Sequence, residues 1–167
     1  MKKITILAML VAAGILMQLI ESFFPIVMII PGYKIGLANI AGLFALYAFG
    51  IKEMVVVTFL RVFLASLATG TLFSIPFILS ISGCTLSCLA MALAKKSGWF
   101  TIYGVSVAGA ASHTLGQVLA ISYLYQQYLL QALLPILVAL SVLSGLCIAY
   151  LTSILLERIP KTMISRS

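Results

Sequence analysis

The chain has 167 residues, of which 63% are hydrophobic and only 8% charged, with a mean hydropathy of +1.26. Soluble domains carry roughly a quarter charged residues, so a water-soluble surface is excluded, and no run of alternating ~10-residue segments points to a transmembrane barrel. The net charge of +7 comes from basic residues at the ends of apolar runs, where orientation signals lie, and not from the clustered basic face that binds nucleic acid.

Several apolar stretches approach the ~20 residues that cross a hydrocarbon core as a helix, and six spans are expected. The first covers about 4–24 and follows Lys2-Lys3. It contains Ala8-Met9-Leu10-Val11-Ala12, which sets two small residues four apart, a flat strip for another helix. Glu21 sits near its far end, where an ion pair tying down the outer loop is the plain explanation. A basic start followed by an apolar run also resembles a signal peptide, but this run is longer than a signal core. Cleavage would also leave an odd number of spans, so the segment is expected to stay.

The second span, about 35–50, opens behind Pro31-Gly32 with Lys34 at its mouth and Asn39 inside. Gly36, Asn39 and Gly42 form a narrow stripe that permits close packing or close approach of a ligand. The third, about 54–67, is interrupted near its middle by Arg61, too deep to snorkel comfortably in either direction. Thr58, Ala65 and Ala68 lie around Arg61 at helical spacing, a small and polar stripe that belongs against other helices. An ionisable residue inside a span is by default a functional-site hypothesis. Arg61 either clamps a carboxylate or phosphate through its planar fork or pairs structurally with Glu21 or backbone carbonyls.

The fourth span, about 73–94, follows the turn Thr69-Gly70-Thr71 and carries Cys84 and Cys88 one helical turn apart. With Cys147 these thiols match neither a disulfide framework nor a zinc site, and packing is the expectation. Lys95-Lys96-Ser97-Gly98 leads into the fifth span, about 101–123, where Ser106, Gly109, His113, Gly116, Gln117 and Ala120 share one face. His113 is either an interhelical hydrogen-bonder or a ligand contact, with metal ligation the remote alternative. Gln126, Gln127, Tyr128 and Gln131 separate it from the sixth span, about 132–156, with Ser141, Ser144, Gly145, Ala149 and Thr152.

Placing the N-terminus inside puts Lys2, Lys3, Lys52, Lys95, Lys96, Arg158, Lys161 and Arg166 on the cytoplasmic side and leaves Lys34 alone outside. The bias of basic loops therefore predicts one compact membrane domain, 1–167, with six helices and both termini cytoplasmic, multi-pass in a bacterial plasma membrane.

The missing residues restrict function. There is no aspartate, and the glutamates are Glu21, Glu53 and Glu157. No nucleotide-binding loop, paired carboxylates, metal-ligand set or serine triad appears, so ordinary acid–base or metal chemistry has no residues to run on. No catalysis, cofactor or metal is expected; binding, passage or scaffolding remains.

Three blocks, "PGYKIGLANIAGLFALYAFGIKE", "LRVFLASLATGTLFS" and "GVSVAGAASHTLGQ", resemble the family called heptaprenyl diphosphate synthase component I, also known as the Gx transporter family. That family is in turn similar to the substrate-binding S components of energy-coupling factor (ECF) importers. These are six-helix proteins that work with a transmembrane T component and two cytoplasmic ATPases. The resemblance implies a substrate-capture subunit for a small, anionic micronutrient or cofactor precursor, with Ala8 and Ala12 facing the T component. The alternative is a non-catalytic membrane accessory of prenyl diphosphate or quinone synthesis, because prenyl synthases bind diphosphate and magnesium through aspartates absent here. A standalone facilitator with its own pore is a third possibility. For a binding site the expected residues are Lys34 and Arg61 for the anionic group and Asn39, His113 and Gln117 for orientation. Tyr33 and Phe73 would either cover the ligand body or anchor the chain at the interface.

Overall fold

The computed structural model describes residues 2–22, 36–126 and 134–158, and every regular element among them is a helix. In chain order these are α1 (Lys2–Ser22), α2 (Asn39–Ala48), α3 (Ile51–Ala68), α4 (Ile75–Ser97), α5 (Ile102–Tyr125) and α6 (Leu134–Arg158). Pro31-Gly32, Tyr33, Lys34, the patch from Gln127 to Gln131, Lys161 and Arg166 lie outside the described residues.

Chain breaks sit where local chemistry places them. Phe49 and Gly50 alone separate α2 from α3, and the reversal needs Gly50 at φ +123°, which a side chain would strain. Ser74 in an extended conformation and Pro76 in the first turn start α4, where a missing N–H costs nothing. Gly98, left-handed at φ 72°, ends it and donates its N–H to the Lys95 carbonyl at 3.3 Å, a glycine stop of the usual kind.

Four helices, α1, α4, α5 and α6, are long and apolar enough to cross a membrane. The expected second and third spans differ from this. Helix α2 has 10 residues, a length of about 15 Å at 1.5 Å per residue, against the ~30 Å of a hydrocarbon core. Eight of those residues are buried. Its unbroken apolar sequence therefore reflects enclosure by other helices, which demands hydrophobicity all round as lipid does. Helix α3 begins at Ile51, earlier than the expected 54, and takes Lys52 and Glu53 into its first turn. Glu53 accepts a hydrogen bond from Lys3 Nζ at 2.7 Å, which supplies a polar end to a helix otherwise read as starting after its charges.

The helices close into a ring in the order α1, α3, α4, α5, α6, α2 and back to α1. The core draws Val11 from α1, Leu43 and Leu46 from α2, Met54 and Val57 from α3, Met91 from α4, Val105 from α5 and Ile148 from α6. Leu, Ile and Phe fill the outer faces, among them Leu16, Ile20, Phe63, Leu93, Leu119 and Leu143. An apolar skin of that extent is unusual in water and suits lipid.

Between α4 and α5 the backbones nearly touch. A Cβ at Gly116 would lie 2.7 Å from the Ser82 carbonyl oxygen and 2.9 Å from Gly83 Cα. Small residues at such crossings let dispersion and short polar contacts hold helices together where the hydrophobic effect gives nothing. The α5–α6 contact adds a hydrogen bond from Ser106 Oγ to the Gly145 carbonyl at 2.7 Å.

Basic residues gather at one end of the bundle. Lys3 reaches Glu53 and lies 5.8 Å from the centre of the Phe49 ring. Lys95 donates to the Leu46 carbonyl at 2.5 Å and sits 4.7 Å from the centre of the Tyr47 ring. The start of α1, the α2–α3 corner and the end of α4 are thus neighbours, as alternating helices require.

Candidate functional site

Toward the opposite end, five helical or near-helical segments bring polar side chains around one small cavity. Its wall is made by Gln18 and Glu21 of α1, Gly36 and Ala38 before α2, Asn39 at the start of α2, Arg61 and Val62 of α3, Ser80 and Cys84 of α4, and His113 of α5. The cavity measures about 10 Å³, room for roughly one water molecule.

Arg61 is the centre of the arrangement. It is only 3% exposed, and Gly14 of α1 makes space for its stem: a Cβ there would stand 2.8 Å from Arg61 Cδ. Its Nη2 donates to Asn39 Oδ1 at 3.1 Å and to Cys84 Sγ at 3.5 Å. Its Nε has no hydrogen-bond partner among the described residues, and neither has Asn39 Nδ2. Among the described residues no carboxylate lies within ion-pair distance of the guanidinium. A buried, hydrogen-bonded but unneutralised cation is costly, and its fork keeps a donor to spare.

Glu21 is 1% exposed and lies on the same wall. Its Oε1 accepts from the backbone N–H groups of Gly36 and Leu37, the latter at 3.3 Å. Those N–H groups lead into α2: the turn is closed by Asn39 N donating to the Gly36 carbonyl at 2.8 Å and Ile40 N to Leu37 at 3.1 Å. Glu21 therefore stands at the positive end of α2's peptide dipoles, where a carboxylate is favoured. Of the alternatives for Arg61, the structural pair with Glu21 does not form; the Glu21 carboxylate accepts from backbone amides, and the outer loop with Lys34, where its ion pair was expected, lies outside the described residues.

His113 is 4% exposed and lines the cavity. Its ring fits against α4 because residue 83 is glycine, where a Cβ would come within 2.9 Å of Cε1 and Nδ1. Gln117, one turn further along α5, is fully buried but off the cavity wall, and neither of its amide atoms has a partner among the described residues. Thr58 and Ser87 carry buried hydroxyls in the same condition.

Of the five residues expected at a site, Asn39, Arg61 and His113 come together, Gln117 stands one turn away, and Lys34 lies outside the described residues. Phe73 is 79% exposed in the α3–α4 turn, edge-on to Phe77 at 5.7 Å, and takes no part in the cavity. Gln18, Ser80 and Cys84 enter the wall unforeseen. Gln18 could have been found, since it precedes Glu21 by one helical turn within an otherwise apolar run. Cys84, read from the sequence as packing, is buried and also touches the guanidinium. Among the described residues no set of three or more His, Cys, Asp or Glu side chains is grouped to hold a metal ion.

Comparison with known proteins gives one match. The family model described as heptaprenyl diphosphate synthase component I covers residues 10–155. No curated protein and no solved structure matches.

Proposed function

The chain belongs to the heptaprenyl diphosphate synthase component I family, and from that premise we propose that it is a non-catalytic membrane subunit whose buried Arg61 takes the anionic group of a small ligand. The family's description favours an accessory role beside a prenyl diphosphate synthase, and a diphosphate would supply the anion. Catalysis by this chain is disfavoured by its own residues. Magnesium bridging a diphosphate is held by carboxylates, and the three glutamates stand on three separate helices, only Glu21 at the cavity.

One observation carries the reading: a guanidinium 3% exposed, without a carboxylate partner among the described residues and with its Nε unsatisfied, on a cavity it shares with Asn39 and His113. Arg61 would hold the anion with Lys34 as a second basic residue, Asn39 and His113 would orient it, and Gln117 would act from the flank. The lysine-rich end would face the cytoplasm, with all six helices forming the membrane domain in a bacterial plasma membrane. Helix α3 would cross with Arg61 enclosed, and α2 would sit inside the bundle.

A second reading, the S component of an ECF importer, is favoured by the outer face of α1. Ala8 and Ala12 are exposed there, four residues apart, on the spanning helix with the smallest buried share. A partner helix of a T component, working with two ATPases, would lie along that strip. Purification of the tagged chain from its native membrane separates the two. Copurification with a soluble prenyl synthase supports the accessory role, and copurification with a T component and ATPases supports the importer. Mass spectrometry of retained small molecules, repeated on Arg61→Met, tests what they share. An anionic compound retained equally by both proteins would remove Arg61 from the site.

A further inference from the structure

We infer that Glu21 occupies the anion seat of this site, so that the ligand's acidic group binds by displacing the Glu21 carboxylate from the N–H groups of Gly36 and Leu37. The inference rests on the proposal that Arg61 binds an anion and names what fills the seat when no ligand is there.

The geometry is that of an internal stand-in. Glu21 Oε1 accepts from Gly36 N and Leu37 N, two backbone donors at the entry to α2. Successive N–H groups at a helix entrance form an oxyanion cradle, and here a side chain of the same protein fills it. Across the same small cavity stand two buried donors with nothing to bond among the described residues, Arg61 Nε and Asn39 Nδ2. Arg61 and Asn39 are 3% and 5% exposed, so bulk solvent does not reach them. A single oxyanion, a carboxylate or one edge of a phosphate, entering where the Glu21 carboxylate moves aside would face the cradle and share the cavity with the guanidinium. The 10 Å³ of free space cannot hold such a group together with Glu21. Displacement of Glu21 makes the room that an oxyanion needs.

The test is chemical rescue. Glu21→Ala removes the stand-in and leaves a space the size of a carboxylate beside donors that have lost their acceptor. In the purified full-length chain, acetate, inorganic phosphate or inorganic diphosphate should raise the thermal midpoint of Glu21→Ala in a saturable way. At least one of them should bind about tenfold more tightly than to the wild type, the gain of a charge-assisted hydrogen bond. The double variant Glu21→Ala/Arg61→Met should lose that gain. Glu21→Gln keeps an oxygen for Gly36 and Leu37, and should show a smaller gain of the same sign; it carries the test if the alanine variant does not fold. Glu53→Gln, at the far end of the bundle, controls for charge removal as such and should leave anion binding unchanged. If the anions bind the wild type and the Glu21 variants equally, and Arg61→Met abolishes binding in all of them, the stand-in is refuted while the anion site remains. If no variant binds any of the three, or binding ignores Arg61, the anion site itself fails.

Discussion

Arg61→Met distinguishes a binding residue from a structural brace, because the two roles predict effects on stability of different size. Methionine keeps an unbranched stem in the space beside Gly14, so little packing is lost. The variant forfeits the 3.1 Å bond to Asn39, and hydrogen bonds to charged groups are worth about 1.5–3 kcal/mol. Against this it removes a guanidinium that is 3% exposed, and the desolvation of such a charge costs several kcal/mol. Glu21 is not stranded by the change, since its backbone donors remain. The two contributions are similar in size and opposite in sign, so the variant should unfold within about 1 kcal/mol of the wild type, or slightly later. Equilibrium unfolding in a mild detergent measures this, and retention of anionic ligand is measured on the same preparation. A residue that braces the fold through a completed buried pair would instead cost about 3–5 kcal/mol when removed. A loss of that size with ligand retention intact would refute the assignment of Arg61 to binding.

The α4–α5 crossing should be the most sensitive packing contact. Gly116→Ala places a Cβ 2.7 Å from the Ser82 carbonyl oxygen, and backbone cannot step aside, so a loss of about 1–3 kcal/mol is expected in the same unfolding assay. Gly83→Ala meets side chains, His113 and Gln117; it should cost less stability but turn the His113 ring, read as weaker ligand retention. Lys95→Met removes the donor to the Leu46 carbonyl and the cation over Tyr47; about 1 kcal/mol should be lost, with faster hydrogen exchange at the end of α2. A double-mutant cycle on Lys3 and Glu53, whose side chains are 36% and 21% exposed, should give a coupling below about 1 kcal/mol that shrinks in high salt.

Much of the fold is legible in the sequence because helix length and apolar content report directly on the bilayer. The runs that became α1, α4, α5 and α6 were placed within a few residues by that rule alone. Helix α2 was not, because enclosure in protein and immersion in lipid both ask for apolar residues, and composition cannot separate them. The early start of α3 is hidden because Lys52 and Glu53 look like the charged end of a span, whereas both lie in its first turn and Glu53 pairs with Lys3, fifty positions away. In the site, Arg61, Asn39 and His113 stood out because polar groups are expensive inside a membrane protein. Cys84 and Ser80 did not, since small weakly polar residues serve packing equally well. The bonds from Gly36 and Leu37 to Glu21 were out of reach for a different reason: they come from backbone amides, which every non-proline residue possesses and no sequence pattern marks.

Helix α2 is held by charge at both poles. A carboxylate stands at its entrance, on Gly36 and Leu37, and an ammonium at its exit, on the Leu46 carbonyl, each matching the sign of the dipole end it faces. A rod of about 15 Å fixed in this way, and buried on nearly every side, has little freedom to tilt or bend. The site around Glu21 and the basic end around Lys95 therefore share one short buried element, with no loop in between.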